Sequence, residues 1–154
     1  LASRDMMVSA LPALPSSAEA LPCPLSAGWE LIENVELSHK ALDGDPVGGF
    51  SAVAYQRDQD RLWLLSDATG GYLVSFKGLG RLIKAEQGSL QAGRRLLLRD
   101  QKGSPLPMNF DGEGLVLVGD QAWIVSEGRR SPERRARLQR FNLSTDAWSA
   151  TFPC

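Results

Sequence analysis

Histidine is almost absent from this chain. Its 154 residues hold one, His39, which excludes any scheme that needs two or more imidazoles, whether as zinc ligands or as a proton relay. His39 itself reads as a surface or edge residue. Cysteine is nearly as scarce, with Cys23 and Cys154 near opposite ends. Two cysteines make no zinc motif. They either join in one disulfide, which implies an oxidising compartment, or stay as two free thiols, because spacing alone does not bring them within bonding distance. Charge of either sign is not in excess: 17 Lys and Arg stand against 18 Asp and Glu, a net charge of −1. That balance removes the electrostatic case for nucleic acid as a general partner. No apolar run is long enough to span a bilayer. There is no Gly-x-Ser-x-Gly elbow and no EF-hand spacing.

What the chain does have is turn residues, 15 Gly and 9 Pro, in a length sufficient for one domain with a real core. Residues 1–27 read as an irregular leader or linker, punctuated by Pro12, Pro15, Pro22 and Pro24. Within it, Met6 to Leu14 has an alternative reading as the remnant of a signal segment. Residues 28–154 read as the structured domain, with a first strand or strand pair between Gly28 and Leu42. Short apolar runs bounded by turns then follow: Ser51–Tyr55, Leu62–Leu65, Tyr72–Phe76, Leu82–Ala85, Leu115–Val118, Trp123–Val125, Leu138–Leu143 and Trp148–Phe152.

Two of these groups repeat. Phe50 and Phe110, Asp60 and Asp120, Trp63 and Trp123, Ser66 and Ser126, and Asp67 and Glu127 all stand 60 residues apart. Matched spacing indicates a duplicated sheet module of the kind that builds a propeller blade. Two modules and part of a third do not close a propeller, which needs at least about four blades. The fold expected is therefore all-β, made of propeller-like antiparallel sheet modules that form an incomplete portion of a larger β-propeller. The remaining blades would come from a longer chain or a partner. Trp63 and Trp123 are expected at equivalent buried positions.

Acidic residues sit just outside the apolar runs: Asp67, Asp111, Glu113 and Glu127. An antiparallel meander brings the start of its first strand close to the end of its second, so these carboxylates are expected to meet at one sheet edge. Gathered carboxylates suit a hard divalent cation such as calcium, and their mutual repulsion favours binding one. The competing reading has Asp67 and Asp111 shaping turns while Glu113 and Glu127 are simply solvated. Arg129, Arg130, Arg134, Arg135 and Arg137 follow Glu127 closely. Guanidinium groups match phosphate oxygens, and Arg129 lies nearest the acids; the same stretch also reads as an ordinary solvated loop. Ser66 and Ser126 have no histidine partner and read as strand-end hydrogen-bonding residues.

Four segments carry a resemblance beyond these patterns: Gly49-Phe-Ser-Ala-Val-Ala-Tyr55, Asp60-Arg-Leu-Trp-Leu-Leu-Ser-Asp67, Asp111-Gly-Glu-Gly-Leu-Val116 and Trp123-Ile-Val-Ser-Glu-Gly128. With Arg137-Leu-Gln-Arg-Phe141 after them, they resemble the phytase-like family described by an esterase-like activity of phytase, over the first part of a typical member. The chain departs from it at Ala68, where the family commonly has Arg, and at Ala52, where Gly is common. The resemblance implies a β-propeller-like fold and an exported, soluble protein, periplasmic or extracellular. It also implies hydrolysis of phosphate esters by recurrent Asp and Glu residues, here Asp67, Asp111, Glu113 and Glu127. The function expected is that of a metal-dependent hydrolase acting on a small phosphorylated substrate. Asp67, Asp111, Glu113 and Glu127 would hold a divalent cation, with calcium the first candidate. Asp111, Glu113 and Glu127 would be catalytic, and Arg129 would contact the substrate. The alternative is a non-catalytic propeller module that binds a ligand or a protein.

Overall fold

Leu62–Leu65 and Tyr72–Phe76 are apolar on both sides of a two-residue period, so each can be satisfied only between two covered faces. The computed structural model describes residues 34–68, 70–84, 89–127 and 136–144, together with the backbone of 147–153, and it places both runs at the centre of a sheet. Strands β1 (Phe50–Gln56), β2 (Arg61–Ser66), β3 (Tyr72–Lys77) and β4 (Gln91–Leu97) form one four-stranded antiparallel meander. Strands β5 (Gly112–Val118), β6 (Gln121–Ser126), β7 (Arg137–Asn142) and β8 (Ala147–Pro153) form a second with the same order. Both sheets lie in one compact unit, Glu36–Cys154. Among the described residues, no helix is long and apolar enough to cross a membrane.

The main core lies between the sheets. Trp63, Leu65 and Leu73 of the first sheet meet Leu115, Ala122, Ile124 and Phe141 of the second, with Leu98, Leu106 and Phe110 from the connection between them. Each large apolar side chain buried there contributes about 1.5–3 kcal/mol. A smaller cluster on the opposite face of the first sheet packs Leu64, Tyr72, Val74 and Phe76 under Ala41 and Val47. An Arg95–Asp45 ion pair of 2.7 Å ties that covering turn to β4. The sheets meet along β1 and β5. The Ser51 hydroxyl donates to the Gly112 carbonyl at one end. At the other, the Gln56 amide donates to the Gly119 carbonyl at 3.4 Å and to Asp120 Oδ1 at 3.5 Å. With start tied to start and end to end, the two strands run in the same direction.

The two sheets share one strand order, but the offset between their registers is not a uniform 60. Ser66 and Ser126 end equivalent strands, and there the 60-residue offset holds. Their partners, Phe50 and Gly112, are 62 apart, so the counterpart of Phe50 is Gly112 and not Phe110. The cause is loop length. The first hairpin turns through Arg57–Asp60, with a 3-10 turn, while the second turns on Gly119–Asp120 alone. The repeat also reaches further upstream than the sequence pattern suggested. A Lys40–Pro46 bridge precedes β1 and an Arg99–Pro105 bridge precedes β5. Their turns carry matching bonds, Ala41 N–H to Asp45 O and Asp100 N–H to Ser104 O, both 2.8 Å.

Three other expectations change. The Leu82–Ala85 strand is replaced by a short helix, α1 (Leu79–Ile83), and the fourth strand is β4. Leu79, Leu82 and Ile83 have helical spacing, and Gly78 opens the turn by letting its carbonyl accept the Leu82 N–H at 3.2 Å. No strand forms among the described residues before Phe50; Lys40 enters only a bridge. Trp63 and Trp123 do hold equivalent register positions, but Trp63 is 2% exposed whereas Trp123 is only half-buried. Trp63 faces the second sheet, and Trp123 lies on that sheet's far side, under the Arg140 guanidinium at 5.5 Å.

Candidate functional site

The acidic residues take their places from a single local device used twice. Each sheet's first hairpin carries a β-bulge next to the start of its first strand, at Ser51 in β1 and at Glu113 in β5. A bulge inserts one unpaired residue and re-aims its side chain. In β5 that residue is Glu113. Asp111 lies just ahead of the strand and Glu127 just after β6, where the Glu127 N–H donates to the Asp111 carbonyl at 2.7 Å. The first sheet repeats the bond, Asp67 N–H to Gly49 O at 3.0 Å. Gly49, Ser51 and Asp67 thus occupy the positions that Asp111, Glu113 and Glu127 occupy in the second sheet. Only the second copy is fully acidic.

That copy gathers its carboxylates. One oxygen each of Asp111, Glu113 and Glu127 lies within 4.8 Å of the others, with Asp111 half-buried and the two glutamates exposed. Asp67 stands outside this trio yet close enough to act on it. Partial desolvation, then the charges of Asp111, Glu127 and Asp67, and a hydrogen bond with Asp111 push the Glu113 carboxyl above its ordinary value. Asp67 approaches the backbone of its own sheet at Gly49. A Cβ there would come within 2.9 Å of Asp67 Oδ1, and φ at Gly49 is +60. Three oxygens converging from a rigid strand end are the donor type that hard divalent cations take. The trio therefore fits such an ion chemically; desolvation first, and then the neighbouring carboxylates, raise the proton affinity of Glu113, and a cation would offset the second of these.

The remaining sequence candidates separate cleanly. Ser66 is fully buried; its hydroxyl donates to the Gly48 carbonyl at 2.7 Å and accepts the Ala68 N–H at 3.2 Å, so it builds the strand end. Ser126 donates to the Arg137 carbonyl at 3.5 Å. His39 is exposed and faces Glu36 at 3.7 Å. Arg129, Arg130, Arg134 and Arg135 lie outside the described residues, as do Cys23, Cys154 and the leader. Ser51 went unrecognised as the counterpart of Glu113. The signal that reveals it is the 62-residue offset of the first strands, which a uniform 60 conceals.

No curated protein and no solved structure matches the chain. Residues 45–154, which span both sheets and all four carboxylates, match the family model described as "Phytase-like: Esterase-like activity of phytase". The match covers well over half of the sequence, and on it this chain belongs to the phytase-like family.

Proposed function

We propose that the protein is a divalent-cation-dependent hydrolase of phosphate esters, with its centre at Asp111, Glu113 and Glu127. The observation that carries this reading is the convergence of those three carboxylates within 4.8 Å at one strand end. Family membership supports it at the level of phosphatase-like hydrolysis. The backbone bond between Glu127 and Asp111 ties two of the donor residues together, and the third stands at the adjacent bulge. Asp67, on the neighbouring sheet, adds negative charge and so favours a cation of higher charge. A divalent ion, calcium in the first instance, would supply Lewis acidity toward a phosphoryl oxygen there. Arg129, two residues beyond Glu127, is proposed to hold an anionic oxygen of the substrate. We further propose that the two sheets are blades of a β-propeller and that the protein is exported. The parallel approach of β1 and β5 supports the first of these and the family the second.

The test is turnover of phosphate mono- and diesters by the full-length protein, with and without calcium, beside its Glu113→Gln form. Turnover should vanish on chelation and fall by at least about 100-fold in the variant, as expected when a group aiding the reaction is removed. Activity indifferent to both would end the hydrolytic reading. A second reading, a binding module without catalysis, draws on one observation: Val116 and Val118 are each 61% exposed and Val125 44% exposed on the far face of the second sheet.

A further inference from the structure

At the opposite end of the strands from the carboxylates lies a cleft of about 820 Å³. That volume falls within the roughly 300–1,000 Å³ typical of small-molecule sites. It opens on the side of the first sheet that faces the second, bounded by the Ser38–Leu42 segment, the start of β4, and Leu143 just after β7. The six residues of β2 separate it from Asp67, a distance of roughly 20 Å at strand rise. It is therefore a separate place on the molecule.

Its chemistry is one-sided. Lys40, Arg61, Lys77 and Arg94 line it, and no described lining residue is acidic. Nor does any carboxylate among the described residues form an ion pair with these four; the salt bridges there are His39–Glu36 and Arg95–Asp45. Arg61 and Lys77 are direct cross-strand partners in β2 and β3, an arrangement that like charges disfavour. The Arg61 guanidinium lies over the Trp63 ring at 5.5 Å, and its Nε is buried with no hydrogen-bond partner.

The duplication supplies an internal control. The positions equivalent to Arg61 and Lys77 in the second sheet are Gln121 and Asn142, which pair with each other in the same register. The fold thus accepts a neutral pair at this point, and the first sheet carries two cations that the architecture does not require. Leu42, Leu90, Leu96 and Trp63 give the cleft an apolar wall, with the neutral polar groups of Ser38, Ser75 and Gln91 beside it.

We propose that this cleft is a ligand site for an amphiphilic organic anion. Its charged head would sit between Arg61 and Lys77, within reach of Lys40 and Arg94, and its apolar body would lie along the leucines. The anion relieves the Arg61–Lys77 repulsion through charge-assisted hydrogen bonds.

Calorimetric titration of the full-length protein in chelator tests this, with octylphosphonate as probe. Its carbon–phosphorus bond resists hydrolysis, and the metal-free carboxylates repel it, so binding reports on the cleft alone. Saturable binding that weakens with added salt is expected, with octanol failing to bind. Octanoate run in parallel separates a phosphonate-type preference from a general one for anions. The Arg61→Gln/Lys77→Gln double variant, which copies the neutral pair of the second sheet, should weaken binding at least about 10-fold, as should Lys40→Gln, an exposed change that leaves folding intact. Glu113→Gln should bind the probe as the wild type does. No saturable binding, octanol binding as tightly as octylphosphonate, or undiminished binding in both cleft variants would overturn the proposal.

Discussion

A single carboxylate, Asp60, organises the first hairpin at the scale of the residue. It adopts a left-handed backbone, φ 46, and its Oδ1 accepts the Gly80 N–H at 2.6 Å and the Tyr55 hydroxyl at 2.8 Å. The Gly80 bond first, then the Tyr55 bond, hold the Asp60 carboxyl below its ordinary value of 3.8. The sign follows from proton binding. An unfolded chain takes up the proton nearer 3.8, while the folded one releases it until the pH is lower. The contribution is therefore complete above the ordinary value and is lost as pH falls through the depressed one. Asn keeps the acceptor oxygen and tolerates the left-handed backbone, so Asp60→Asn removes only the charge. Denaturant midpoints should show the variant less stable than wild type by a constant margin near neutrality, and that margin should close as the pH is taken below 3.8. A margin that ignores pH would show that charge plays no part.

At the scale of the element, the connection between the sheets depends on close packing around Phe110. Gly71, just ahead of β3, has φ +66, and a Cβ there would lie 2.6 Å from Phe110 Cε1 and 3.2 Å from Leu98 Cδ1. Gly71→Ala adds left-handed strain to overpacking in the main core. It should destabilise the protein by at least about 2 kcal/mol, measured by chemical denaturation. A loss under about 0.5 kcal/mol, the range of ordinary surface changes, would mean that the Phe110 ring has room to move. The sequence showed Phe110 as an aromatic of the repeat. Its actual post is the loop before β5, where it caps the inter-sheet core.

For the whole molecule, the second sheet raises the question of what covers its far face. By the offsets of the repeat, Val116, Trp123 and Val125 correspond to Ala54, Trp63 and Leu65, residues packed against or within the core between the two sheets. A surface built like one that receives a sheet should receive another. In the full-length protein, Val116→Lys together with Val118→Lys is expected to lower stability by at least about 2 kcal/mol in denaturant titration, since it would bury unpaired charge. A change within about 0.5 kcal/mol would show this face open to water and would favour a role in binding a partner instead.

Periodicity, turn residues and matched spacing were enough to indicate an all-β chain with two sheets of like pattern, and to single out Asp67, Asp111, Glu113 and Glu127 as acidic residues at strand ends. These are local signals: apolar alternation sets strands, Gly and Asp set turns, and a repeated strand end repeats its polar residues. Three-dimensional pairing decided the rest. The 62-residue offset of β1 and β5 depends on how many residues each hairpin spends in its turn, which only the register reveals. The bulge at Glu113, which brings its carboxylate to Asp111 and Glu127, has no signature in residue type, because Ser51 fills the same position in the other sheet. The unequal burial of Trp63 and Trp123 is likewise invisible in two matching sequences. It arises because the second sheet covers one face of the first, while among the described residues no sheet covers the equivalent face of the second. The cation-lined cleft depends on tertiary placement most of all: Lys40, Arg61, Lys77 and Arg94 are scattered through 55 residues of sequence and meet only when β2, β3 and β4 pair beside the Ser38–Leu42 segment.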